Sequence, residues 1–220
     1  VGLSVSALEV LSRFPAKQVL SLGYPDILAT TEDIERLFKV TPQTFVDTGG
    51  WHGRTHDLPE TVEFFNMIGS ELRCVDVHAS RGVEYVVDLN YPNDLGKFDL
   101  VIDAGTIEHC FNIGQAIINA ANAVNEGGAI FHTPPMSMVN HGFYNISPTL
   151  LFDFYMQNGW NVEFCCGSCP RGMYDINPYL RYAVPPESSI FFVARRTNMN
   201  PLSFPTQQKY LKNPDLKALN

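Results

Sequence analysis

The sequence lacks concentrated positive charge. Its 220 residues carry 15 Lys and Arg against 23 Asp and Glu, a formal net charge of −8, and no basic cluster extends beyond Arg195-Arg196. Polyanions are gripped by grouped Lys and Arg, so nucleic acid is not an expected partner. Long hydrophobic runs are missing too. No window approaches the ~18 uncharged apolar residues of a membrane span, so no membrane partner is expected. Residues 1–14 show no basic start followed by an apolar stretch and do not read as a signal peptide, which predicts a cytoplasmic protein. Cysteine is sparse and odd in number: Cys74, Cys110, Cys165, Cys166 and Cys169. This reads as free thiols in a reducing compartment. Cys166 and Cys169 form a CxxC, but no second CxxC or nearby His completes a zinc set.

What is present is a periodic apolar pattern long enough for one buried core. Residues 1–14 read as a short amphipathic helix with Leu3, Leu8, Val10 and Leu11 on its apolar side. Residues 19–23 (VLSLG) read as a buried strand ending in Gly. Thr30-Thr31 caps a helix reaching Lys39, with Glu32 and Asp33 at its positive end. Residues 41–60 carry Pro42, Gly49, Gly50, Gly53 and Pro59 and read as a long irregular loop, usually functional. A helix over 60–68 is stopped by Gly69. Further strands are predicted at 72–77, 84–89, 98–103, 128–132, 161–166 and 190–194, and helices at 113–124 and 148–158.

Strands alternating with helices, most of them nearly continuous in Val, Leu and Ile, predict a parallel sheet covered on both faces. No helix is legible between the last two strands, so one of them is expected to run antiparallel. The expectation is an α/β fold: a Rossmann-like, doubly wound, mostly parallel seven-stranded sheet with one antiparallel strand and helices on both faces. It forms a single domain over residues 1–197, followed by a polar, partly helical tail over 198–220. No oligomer signal is legible.

Ligands of such sheets bind at the carboxyl ends of the strands, where strand order reverses. The first strand ends in Gly23, the next two in Asp76 and Asp88, and the fourth in Asp103-Ala104-Gly105. A carboxylate at that edge can accept both hydroxyls of a ribose, and a second can accept from an adenine amino group. A turn of small residues lets a ligand approach the backbone. No GxGxxG follows the first strand, which disfavours a nicotinamide cofactor.

The segments VLSLG (19–23), VDV (75–77), VVDLN (86–90), FDLVIDAGTIEHCFN (98–112), EGGAIFHTP (126–134) and NHGFYNISPTLLFDFYMQNGW (140–160) resemble the class I S-adenosylmethionine-dependent methyltransferases over about residues 15–195. The last segment is similar to a bacterial subset associated with surface-glycan clusters. The resemblance implies S-adenosylmethionine as cofactor and a small-molecule acceptor methylated on O or N, such as a sugar or glycan precursor. It implies that Asp76, followed by Val77, holds the ribose. Asp88 and Leu89 would flank the adenine, Gly23 and Tyr24 would pass by the methionine part, and Asp103, Ala104, Gly105 and Thr106 would line the methyl side. The family's first loop is normally GxGxG. Here it is Gly23-Tyr24-Pro25-Asp26, where Tyr24 adds bulk and Pro25 lacks an N–H. A non-catalytic relative with a binding or regulatory role is the alternative.

Methyl transfer needs an aligned nucleophile and usually a base. Glu108 and His109 follow the fourth strand, and a His titrates near neutral pH, so His109 is a candidate base and His141 a second. Tyr144 is a candidate to orient an acceptor hydroxyl, against a packing role. IEH also occurs in a metal-dependent RNA methyltransferase subset that uses ExxEH. Gly105 stands where that motif has its first Glu, so no metal is expected. His52 and His56 are four apart, but Gly49, Gly50 and Gly53 argue against the helix that would pair them. Trp51 is read as the apolar contact of a substrate lid.

Overall fold

The chain runs β1 (Gly2–Ser4), α1 (Val5–Leu11), β2 (Gln18–Leu22), β3 (Asp26–Leu28), α2 (Thr31–Phe38), β4 (Phe45–Val46), β5 (Leu58–Pro59), α3 (Thr61–Met67), β6 (Glu71–Asp76) and β7 (Tyr85–Val86). It continues through β8 (Phe98–Asp103), a 3-10 turn (Ile107–His109), α4 (Ile113–Asn122), β9 (Val124–His132), α5 (Pro148–Gln157), β10 (Asn161–Cys169), β11 (Gly172–Asp175), β12 (Ser189–Arg195) and α6 (Gln208–Lys212). The structure is a computed structural model and describes residues 2–47, 49–50, 53 and 56–212.

Eight strands form the main sheet in the order β11-β10-β12-β9-β8-β2-β6-β7. β9, β8, β2, β6 and β7 run parallel. β12 is antiparallel to both β9 and β10, as the missing crossover helix implied. All seven expected strands lie in this sheet. The eighth, β11, folds back antiparallel on β10 as an edge hairpin. A Cβ at Gly167 would collide with the ring of Tyr174 opposite, so Gly makes room for that cross-strand aromatic.

Side chains alternate across the strands with period two and feed two cores. Leu100 and Ile102 of β8, Phe131 of β9 and Val193 of β12 face Leu8 of α1, Ile34 of α2 and Phe64 of α3. Leu20, Val101, Ile130 and Phe192 face the other way, onto Ile117 of α4 and Leu151 and Tyr155 of α5. Helices therefore cover both faces, and the strand order reverses between β2 and β8.

Three local readings change. Residues 1–14 are not one helix: Gly2–Ser4 pairs in parallel with β3, and Ser4 then caps α1 by accepting from the Ala7 N–H at 3.3 Å. The 41–60 stretch contains the small antiparallel pair β4–β5. β9 begins at Val124 because its register against β8 shifts between Phe98 and Leu100, giving a bulge. There a Cβ at Gly128 would lie 2.9 Å from the Asp99 carbonyl. The first part of the tail is anchored to α5: Gln208 N–H donates to Asp153 Oδ2 at 3.0 Å and Thr206 N–H to Gln157 Oε1 at 2.9 Å. No described helix is long and apolar enough to cross a membrane.

Candidate active site

Strand register sets the rim of the site. Leu22 pairs with Val75 on one side and Asp103 on the other, Asp76 pairs with Val86, and Asp103 pairs with His132. One residue on, Gly23, Asp76, Ala104 and Thr133 therefore share a row at the carboxyl end of the sheet. Gly23 has φ +79°, a left-handed conformation that favours glycine, and its N–H donates to Val75 O at 2.7 Å.

The rest of the first loop is filled by side chains. Tyr24 is buried and its hydroxyl donates to Glu60 Oε1 at 2.5 Å. Burial and the Glu60 carboxylate raise the Tyr24 pKa, which keeps the phenol protonated as donor. Arg81 lies over the Tyr24 ring, 5.4 Å from its centroid, and pairs with the buried Asp26 at 2.8 Å. Residues from the loop after β6 and the start of α3 thus stand where small residues were expected.

Asp76 is half-buried, and among the described residues its carboxylate accepts one long bond, from the His78 N–H at 3.4 Å. It retains acceptor capacity toward solvent. Val77 beside it is exposed. Val87 N–H donates to Asp76 O at 2.8 Å, so Asp88 follows one residue beyond that bond. Asp88 is exposed, and its Oδ1 accepts from the backbone and side chain of Asn90 at 2.9 and 2.7 Å. Leu89 is buried, with its carbonyl held by Asn119 at 3.1 Å.

Asp103 takes a different place from Asp76. It is 0% exposed, and its Oδ1 accepts from the Thr106 and Ile107 N–H groups at 2.9 and 3.2 Å. Its Oδ2 meets His132 Nδ1 at 2.6 Å, and His132 Nε2 meets the Tyr155 hydroxyl at 2.7 Å. Burial and the Asp103 charge push the Tyr155 pKa well up, so the phenol donates to Nε2 and His132 Nδ1–H donates to the carboxylate. The Asp103 side chain therefore anchors the turn that follows it and does not line the cleft. Sequence reasoning missed His132 and Tyr155. The available signal was a His closing the apolar run GAIFH.

That anchored turn carries the candidate residues Glu108 and His109. The Thr106 hydroxyl donates to Leu22 O at 2.6 Å, tying the turn to β2. Ala104, Gly105, Glu108 and His109 then line a cleft of about 770 Å³, closed on another side by Met138 and His141. Glu108 is 0% exposed and neither carboxylate oxygen has a hydrogen-bond donor among the described residues. Burial, with the Asp103 charge second, pushes its pKa up to about 8. His141 Nε2 lies 3.5 Å from Glu108 Oε1, and the His109 and His141 rings are 5.2 Å apart. Burial and the neighbouring His141 lower the His109 pKa, so its imidazole is neutral at pH 7. The candidates Glu108, His109 and His141 are thus brought together. Tyr144 is not free, because its hydroxyl donates to Phe111 O at 2.8 Å. Trp51, read from the sequence as a lid contact, and His52 lie outside the described residues. All five cysteines are free thiols.

Gly142 sets how closely the His141 loop approaches. Phe143 N–H donates to Glu108 O at 2.9 Å, and a Cβ at Gly142 would lie 2.9 Å from that oxygen and 3.0 Å from Glu108 Cγ. Gly142→Ala is therefore expected to cost about 1–3 kcal/mol by overpacking and to move His141 away from Glu108. Urea unfolding and a crystal structure of the variant check both parts.

No protein-family model and no curated protein sequence matches the chain. Solved structures match it at low identity. TehB from Haemophilus influenzae is 13% identical with a TM-score of 0.51, over 87% of this chain and 60% of that one. The Burkholderia thailandensis 1,6-didemethyltoxoflavin-N1-methyltransferase, solved with 1,6-didemethyltoxoflavin and S-adenosylhomocysteine, is 13% identical with a TM-score of 0.50, over 88% and 76%. The chain spans about three-fifths of the TehB length. Together with the strand order and the reversed β12, these likenesses show the class I methyltransferase fold.

Proposed function

We propose that the chain binds S-adenosylmethionine along the rim of Gly23, Asp76 and Ala104 and methylates an oxygen or nitrogen of a small acceptor held in the cleft beside Glu108. One observation carries this reading. A half-buried carboxylate with spare acceptor capacity stands in the same row as a left-handed Gly and a small residue that opens onto a cleft of about 770 Å³.

When bound, S-adenosylmethionine supplies a methyl group on a sulfonium. The chain's part is to hold and align. Asp76 accepts from the ribose hydroxyls, Leu89 and the Asp88 turn border the base, and Gly23 lets the backbone come close. Ala104 and Gly105 leave room between the rim and the acceptor cleft. The acceptor proton leaves toward the Glu108–His109–His141 cluster, where a neutral imidazole accepts it in the metal-free chain. A sugar or glycan precursor fits an acceptor with hydroxyls. The S-adenosylhomocysteine in the Burkholderia enzyme on the same fold supports the cofactor.

One observation favours a second reading, a non-catalytic binding protein: the Tyr24–Glu60 and Arg81–Asp26 contacts close the first loop with side chains. Calorimetric titration of the full chain with S-adenosylhomocysteine separates the two. Saturable one-to-one binding is expected. A flat titration selects the second reading.

A further inference from the structure

Burying a polar group without a hydrogen-bond partner is costly, and buried polar groups in folded proteins are almost always satisfied. Glu108 breaks that rule with both oxygens, although its backbone is well ordered by the turn and by Phe143. Its carboxylate does not face an apolar wall. It faces two imidazoles, and one ligand atom each from Glu108, His109 and His141 lie within 4.8 Å of one another. Gly105 keeps the space over the carboxylate open, since a Cβ there would approach Oε1 to 3.1 Å.

Against the expectation of no metal drawn from Gly105 in the sequence, we propose that Glu108, His109 and His141 form a binding site for one divalent first-row transition ion. Ions of this kind sit about 2.0–2.2 Å from His nitrogen and carboxylate oxygen, which brings cis donors to roughly 3–3.5 Å from each other. Rotation of the two exposed imidazoles toward the fixed carboxylate closes the remaining gap. Two nitrogens and one oxygen suit Zn²⁺, Co²⁺ or Fe²⁺, and disfavour Mg²⁺ and Ca²⁺, which prefer oxygen. Three protein ligands leave positions open toward the cleft for water or for an acceptor's oxygens, the latter role resting on the methyl-transfer reading. Ligation makes both imidazoles ligands rather than bases, and leaves the cofactor rim untouched.

The test uses the full chain, stripped with chelator, dialysed and titrated with Co²⁺ and with Zn²⁺ in the absence of cofactor. Because no cofactor is present, its result is independent of the S-adenosylhomocysteine titration. One ion per chain is expected, with a visible Co²⁺ spectrum lacking a thiolate charge-transfer band. Glu108→Gln, His109→Ala and His141→Ala should each weaken binding by roughly 100-fold, at least the loss seen for outer-shell partners of metal ligands. The two His variants alter exposed side chains, so they keep the test valid if Glu108→Gln fails to fold. Cys166→Ser/Cys169→Ser should bind as the native chain does. Absence of saturable binding, unchanged affinity in His141→Ala, or loss of binding in the double Cys variant would overturn the site.

Discussion

Asp103→Ala is expected to lower the unfolding free energy by about 3–5 kcal/mol, because several buried donors lose one shared acceptor at about 1–3 kcal/mol each. Three donors converge on this carboxylate: the Thr106 and Ile107 N–H groups and His132 Nδ1. Alanine leaves all three without this acceptor, and the Ile107 N–H and His132 lose it where solvent does not reach. A domain is typically stable by about 5–15 kcal/mol, so a large share of the total is at stake. Tyr155→Phe removes only the far end of the chain of bonds and should cost less, about 1–3 kcal/mol for one unsatisfied buried acceptor. Urea unfolding of the three proteins gives the ranking. A loss below about 1 kcal/mol for Asp103→Ala would show that this network contributes little. Because the same carboxylate holds the turn bearing Glu108 and His109, the variant should also lose ion binding beyond what its stability explains.

The parts legible in the sequence were those written in contiguous runs. FDLVID and GAIFH announce buried strands because every residue there must suit one or the other core. Their ends, Gly23, Asp76 and Ala104, could be aligned as a rim because parallel strands in one sheet finish at one edge. The fate of a given strand-end carboxylate was not legible in the same way. Asp76 and Asp103 both close apolar strands, yet one faces solvent and the other is consumed internally. Its side-chain partner His132 lies 29 residues away on β9, and that imidazole's own partner on α5, and no local pattern announces such a meeting. Short elements escaped for a related reason. β1 and β3 have three residues each, too few for a period, and exist because they pair with one another. The first loop was recognisable as missing its glycines. That Arg81, from beyond β6, would stack on Tyr24 depends on the folded sheet.

Asp76→Ala is expected to weaken S-adenosylhomocysteine binding by about 100-fold while leaving the fold intact. Hydrogen bonds to a charged acceptor contribute about 1.5–3 kcal/mol each. Loss of a carboxylate gripping two ribose hydroxyls thus exceeds 2.8 kcal/mol, and 1.4 kcal/mol is tenfold in affinity. Stability should change little, because the side chain holds only the long bond from His78 at 3.4 Å among the described residues. Asp88→Ala provides the comparison. Asp88 is exposed and already accepts from Asn90 at 2.9 and 2.7 Å, so it has less to give a ligand, and about tenfold or less is expected for one exposed contact. Calorimetry on the native chain and both variants, with thermal melts alongside, reads the difference. Equal losses at the two positions would mean that the nucleoside does not lie along this row. An Asp76→Ala protein that binds as tightly as the native chain would remove the rim from the cofactor site altogether. It would leave the cleft beside Glu108 to be explained by the ion alone, which the cofactor-free Co²⁺ titration measures separately.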